Sequence, residues 1–192
     1  MAAIEKKIYY FEKPGKENTD DCLKFSLDAV TQMDIRDVVV ATTGGDTGLI
    51  YSEAFNGKSI NLVAVTHSHG FKEANTFEMP PDIASKIKQN GAILYTGTMV
   101  THSLESAFSQ KFNGLYPTLI VAQSLRRFGE GTKVCCEIVM MATDAGLITE
   151  GADVLAVAGT GRGADTVLVI RSAASKRFFD LKILEIIAKP RL

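Results

Sequence analysis

The sequence has no tryptophan, only three cysteines in 192 residues, and almost no net charge, with 21 basic against 22 acidic side chains. Each scarcity excludes something. Cys22, Cys135 and Cys136 form no CxxC pair and no disulfide framework, so the adjacent pair is read as packed thiols, and the count fits a reducing cytoplasm. No basic stripe exists to neutralise a run of phosphates; Lys176-Arg177 with Arg171 nearby is too short, which argues against nucleic acid as a partner. No apolar run reaches the length needed to span a bilayer. Met1 to Lys7 is short and charged, without the apolar stretch of a secretion signal behind it. The expectation is a cytoplasmic protein that engages neither membrane nor nucleic acid.

What the chain does have is apolar residues, 46% of the total, enough for a core without disulfides or a structural metal. The length suits one domain over residues 1–192, with no repeat, linker or low-complexity tract. Short apolar runs alternate with helical patterns, the mark of a mostly parallel sheet covered by helices, in the manner of a Rossmann-like sandwich.

Ile8–Phe11 reads as a strand, followed by a helix that Asn18 or Thr19 would cap, with Asp20 and Asp21 at its positive end. Val38–Ala41, Asn61–Val65 and Ala92–Tyr95 read as strands, with helices over Leu49–Phe55 and from Pro80-Pro81 to Gln89. From Met99 to Gly146 the pattern is helical, interrupted near Asn113–Pro117 and Gly129–Gly131. Val134–Ala145 is apolar nearly all round and is expected to be buried. Val154–Ala158 and Val167–Ile170 are strands too close for a crossover helix, so at least one strand is expected to run antiparallel, and a last one lies near Leu181–Ala188.

Ligands of open α/β sheets gather outside the carboxyl ends of the strands. Four such ends carry polar loops with glycine: Thr42–Gly48, Thr66–Gly70, Thr96–Thr98 and Gly159–Asp165. In the first, Thr42, Thr43, Gly44, Gly45, Asp46 and Thr47 combine hydroxyls, close-approaching backbone and a helix start, which suits a phosphate. The competing readings are a loop that only turns the chain and an Asp46 that only caps the helix; the lysine of a Walker motif is absent. In the last, Gly159, Arg162 and Gly163 lie in a GxGxG run that a strand follows, so a dinucleotide fingerprint does not apply, and Arg162 is either an anion clamp or a solvated turn residue.

His67 and His69 share one side of extended backbone but lack further ligands nearby, so no metal site is assigned, and His67 is read as a ligand contact or as a hydrogen-bonding residue of its loop. His102 is a weak acid–base candidate, and polar capping near Ser103 is the preferred reading. Glu137, if buried in its apolar helix, needs partners: a raised pKa would point to function, bonding to exposed amides of a neighbouring loop to structure. Ser68 has no nucleophile-elbow setting, and no catalytic residue is assigned.

An ordered set of fragments resembles stand-alone archaeal and bacterial proteins related to the α/β (carboxyl-terminal) domain of pyruvate kinase. It comprises Lys7–Phe11 with Lys13-Pro14-Gly15 and Glu17-Asn18-Thr19; Gly45-Asp46-Thr47; Met79-Pro80-Pro81; and Lys133-Val134-Cys135 with Glu137-Ile138. It continues in Arg162-Gly163-Ala164-Asp165-Thr166 with Val169-Ile170-Arg171, Phe178-Phe179-Asp180 and Pro190-Arg191. The resemblance implies a three-layer α/β/α sandwich with one antiparallel strand. It also implies ligand phosphate on the Thr42–Thr47 loop, with Arg162 and Gly163 matching the second, glycine-arginine loop; in the cofactor reading Gly159 and the stretch Arg162, Gly163, Ala164, Asp165 and Thr166 close with His67 around the rest of the ligand. The resemblance makes flavin mononucleotide (FMN) the leading cofactor candidate. The first loop lacks the lysine-serine-glycine-arginine texture of pyruvate kinase and the second its tryptophan, which argues against a sugar bisphosphate. A catalytic barrel, about 250 residues by itself, has no room in this chain. Two functions stay open: an FMN-binding protein, or a non-enzymatic sensor of a phosphorylated metabolite. The apolar strands and helices would permit a homo-oligomer.

Overall fold

The computed structural model describes residues 3–191. One seven-stranded sheet is built from β1 (Tyr9–Phe11), β2 (Asp37–Ala41), β3 (Asn61–Val65), β4 (Ile93–Tyr95), β5 (Asp153–Ala158), β6 (Thr166–Arg171) and β7 (Lys182–Pro190). Its spatial order is β1-β7-β6-β5-β2-β3-β4, and only β6 runs against the rest. The antiparallel strand expected from the short connection after Ala158 is therefore β6, which pairs with β5 from Asp153↔Arg171 to Ala158↔Thr166. The last strand runs two residues beyond the expected end, because Lys189 and Pro190 pair with Tyr10 and Phe11 of β1.

The central strands are β-branched and buried on both faces, and alternation divides their side chains between two cores. Val38 and Val40 face one side with Leu62, Ala64, Leu155 and Val157. There they meet Cys22, Ala29 and Val30 of α1 (Thr19–Gln32), Tyr51 and Phe55 of α2 (Asp46–Phe55), and Ile87 of α3 (Pro81–Gln89). Val39, Val63, Val154, Ala156 and Leu168 face the other, against Cys135, Cys136, Val139 and Ala142 of α6 (Glu130–Asp144). The result is the three-layer α/β/α sandwich.

The long helical stretch resolves into α4 (Ser103–Phe112), α5 (Pro117–Arg126) and α6. As expected, α6 is buried along nearly its whole length. By contrast α4 buries no residue, and Leu104, Phe108 and Phe112, spaced one turn apart, are all at least half exposed. No helix among the described residues is long and apolar enough to cross a membrane.

Two caps differ from expectation. The Asn18 amide does not cap α1; it donates to the carbonyls of Lys13 (2.9 Å) and Gly15 (3.1 Å), fixing the turn before the helix. Helix α2 begins at Asp46, not at Leu49, and its N-cap is Gly45 without any side-chain cap, so Asp46 is a first-turn residue.

Candidate functional site

Strands β2, β3, β4 and β5 all end on one edge of the sheet, and a cleft of about 700 Å³ opens there. That volume falls within the range of small-molecule sites, roughly 300–1,000 Å³. Its walls bring together Thr42, Thr43, Gly44, Gly45, Asp46 and Thr47 after β2, Thr66 and His67 after β3, and Gly159, Arg162 and Gly163 after β5. The glycine–threonine loop and Arg162 thus open on the same space.

The first loop is held by few internal bonds. The Val65 carbonyl takes the Thr42 amide (2.8 Å), and Thr42 Oγ1 accepts from the Gly48 amide (3.0 Å). Helix bonding starts with Leu49 donating to Gly45. Among the described residues, the amides from Thr43 to Thr47 have no acceptor in the chain. Gly45 sits at φ +102°, and a Cβ there would stand 2.3 Å from Ile83 Cγ2, so only glycine lets the loop pass so close to α3. The start of α2 adds the positive end of its dipole.

The loop after β5 divides into lining and anchor. Ala164, Asp165 and Thr166, expected as ligand contacts, are fully buried and are not among the residues that line the cleft. Asp165 is consumed by hydrogen bonds from the amides of Gly15 and Thr160, both at 3.0 Å, and from the Thr166 hydroxyl at 2.7 Å. The Ala164 amide donates to Thr19 Oγ1 (3.0 Å), which ties the loop to the start of α1. These residues shape the turn that presents Arg162. Among the cleft's permanent cations, Lys72 pairs with Glu78, Arg126 with Glu130 and Lys133 with Glu137. Only Arg162 of that set, among the described residues, has no carboxylate within salt-bridge reach.

His67 lines the cleft, with Nδ1 3.0 Å from Glu78 Oε1 and its ring against Phe71, 4.2 Å between centroids. His69 is exposed and absent from the cleft wall, so the two rings do not act together. No group of three metal-ligating side chains occurs among the described residues. Burial works to raise the Glu78 pKa, but Lys72 and His67 outweigh it and hold the carboxyl below its ordinary range.

The sequence reading missed Arg126 and Lys133 in this cleft. The available signal was spacing: Lys133 and Glu137 stand one turn apart in an apolar helix and could satisfy each other. Both are 2% exposed, and Lys133 Nζ lies 2.6 Å from Glu137 Oε2. Glu137 Oε1 accepts from the Thr101 amide (2.9 Å) and hydroxyl. His102 Nδ1 is 3.8 Å from the same oxygen, beyond hydrogen-bond reach, and is buried without a partner. Burial alone would raise the Glu137 pKa; the neighbouring His102, the Lys133 ammonium and the Thr101 hydroxyl reverse that and bring it to about 2. The raised pKa that would have marked function is therefore not found, and the bond to a neighbouring loop amide is. The cysteines are packed core thiols: desolvation pushes Cys136 up to about 12 and raises Cys22 and Cys135 as well.

Among known proteins, two solved structures of pyruvate kinase from Cryptosporidium parvum are each 15% identical to the chain. The first covers 81% of this chain and 23% of its own length at a TM-score of 0.44; the second, a complex with ADP, covers 85% and 25% at 0.45. The chain thus spans about a quarter of those enzymes. An O-ureido-L-serine synthase is 16% identical, with 69% of this chain and 40% of its own covered at a TM-score of 0.32. The family model described as pyruvate kinase, alpha/beta domain, matches residues 20–170, from α1 through nearly the end of β6. The chain belongs to the pyruvate kinase alpha/beta domain family.

Proposed function

We propose that this protein binds a phosphate-bearing small molecule in the cleft at the carboxyl edge of the sheet, with FMN as the leading candidate. One observation carries the reading: Thr43 to Thr47, whose amides have no acceptor among the described residues, line the same cleft as Arg162, which has no carboxylate partner among them. Unmet backbone donors at a helix start together with a guanidinium are a donor set for oxygen anions. Asp46, which lines the cleft and is acceptor-only when ionised, suits ligand hydroxyls such as those of a ribityl chain and not the phosphate itself. Val134, Ile138, Met141 and Phe71 supply apolar and aromatic surface for a ring. Bound flavin would supply redox chemistry, while the chain's own residues bind, orient and shield it.

A second reading, a binding module without turnover, is favoured by the state of the titratable groups. Glu78 and Glu137 are both ion-paired with lowered pKa, so both stand as carboxylates at neutral pH and neither has a proton to give as a general acid. The two readings share one site and differ only in whether binding leads to turnover.

Titration of the purified protein with FMN and with riboflavin, monitored by flavin fluorescence, tests the site. FMN should bind at least tenfold tighter than riboflavin, and added salt should narrow the difference. Equal affinity for the two, or no binding of either, overturns the assignment.

A further inference from the structure

We propose that the α6 wall of the cleft is a second binding station, in which Lys133 donates a hydrogen bond to a neutral acceptor oxygen of the ligand, of the carbonyl class, while Glu137 holds the lysine in place. The inference rests on the phosphate reading above and deepens it by restricting the ligand to one anionic end and one uncharged acceptor end.

The starting point is an ion pair where stability does not require one. Lys133 and Glu137 are buried in a helix otherwise packed with apolar side chains, and an apolar pair of similar volume would usually serve stability as well or better. The pair does not fill a sealed core, because both side chains line the cleft beside Val134, Ile138 and Met141. An ammonium has three N–H bonds to donate. Glu137 Oε2, at 2.6 Å, accepts one from Nζ, and the rest of its donor capacity finds no acceptor among the described residues. Donor capacity left open on a cleft wall is available to an incoming acceptor.

Glu137 cannot be that arrival's partner. Its Oε1 is taken by the amide and hydroxyl of Thr101, and its Oε2 by Lys133. It acts as a bracket, fixing Nζ from the loop that comes after β4. His102, just before α4, stands beside it with Nδ1 buried and without a partner among the described residues, a second open polar position in the same cleft.

Charge decides the class of acceptor. The Lys133–Glu137 pair is neutral as a unit, and a second phosphate placed on Lys133 would lie close to the Glu137 carboxylate, in a region of low dielectric where like charges repel most. A carbonyl or amide oxygen takes the lysine's hydrogen bond without that penalty. The flanking valine, isoleucine and methionine favour the apolar body that would carry such an oxygen. The first loop and Arg162 therefore recognise the anion, and α6 recognises the uncharged end. The preferred ligand is a monophosphate bearing a ring carbonyl, not a bisphosphate.

The test compares wild type with the double variant Lys133→Met/Glu137→Gln, which removes both charges and leaves neither orphaned. FMN affinity is measured by fluorescence, and inorganic phosphate by its protection of the fold against heat. The double variant should bind FMN at least tenfold more weakly while its thermal shift with inorganic phosphate stays unchanged. On the wild type alone, the carbonyl stretches of bound FMN should move to lower wavenumber than in free FMN, a reading that needs no variant to fold. FMN bound within twofold of wild type by the double variant, or unshifted carbonyl stretches, would overturn the station and leave the phosphate site standing. Tighter binding of fructose 1,6-bisphosphate than of FMN by the wild type would also overturn it. A wild type that ignores FMN altogether removes both this inference and the reading beneath it.

Discussion

The two walls of the cleft are made of different material. On the β2–α2 side, recognition is written in the backbone: unmet amides from Thr43 to Thr47 and a glycine at φ +102°. On the α6 side it is written in buried side chains, Lys133 and Glu137, held by Thr101. A backbone site tolerates side-chain change except where glycine is needed for space. A buried ion pair tolerates no loss of one partner. The same cleft should therefore fail in two distinct ways.

The sharpest contrast comes from orphaning the lysine. Glu137→Ala leaves a buried ammonium unpaired and should cost about 3–5 kcal/mol of stability in a denaturant titration. The double variant Lys133→Met/Glu137→Gln should lose clearly less. Equal losses would mean that water reaches the pair and that the α6 wall is not the rigid one.

Acid should expose the same asymmetry. With Glu137 held near 2 against an ordinary 4.5, its contribution is fully present above pH 4.5 and is lost as pH falls through 2. That window is worth on the order of 3 kcal/mol if Glu137 acts alone. Unfolding free energy measured from pH 6 to pH 2 should therefore fall less in the double variant than in wild type. Parallel curves would break the comparison.

On the backbone wall, Gly45→Ala meets both a left-handed φ and the Ile83 methyl at 2.3 Å. A cost of about 2 kcal/mol is expected, together with loss of the inorganic-phosphate thermal shift. Retention of that shift would separate the loop from the anion. The smallest effect on the fold belongs to Arg162→Ala. Because Arg162 has no carboxylate partner among the described residues and sits outside the core, stability should stay within about 0.5 kcal/mol. FMN affinity should nonetheless drop about tenfold, equivalent to about 1.4 kcal/mol.

Much of this was legible in the chain. The β-branched runs ending in glycine-bearing loops placed the strands and the cleft's edge, and the short link from Ala158 to Thr166 foretold the one reversed strand. What misled was proximity along the chain. Ala164, Asp165 and Thr166 come directly after Arg162 and Gly163, yet they turn inward, because Asp165 answers amides as distant as Gly15. Thr42 likewise spends its oxygen accepting from Gly48 within its own turn. Lys133 is legible only as part of a family motif and not as a cleft residue, because a lysine in an apolar helix signals only that a partner is needed, not which cavity it borders.

The order of apolar runs, the glycines that break them and the alternation of side chains are local properties, and they alone determined the layered sheet and the edge at which its loops gather. Which donors remain unmet at that edge is a different kind of fact. It depends on acceptors brought from far along the chain: Val65 for Thr42, Asp165 for Gly15, Glu137 for Thr101. Hydrogen bonds are short-ranged and saturable, so only the folded arrangement decides which groups are spent inside the protein and which are left to meet a ligand.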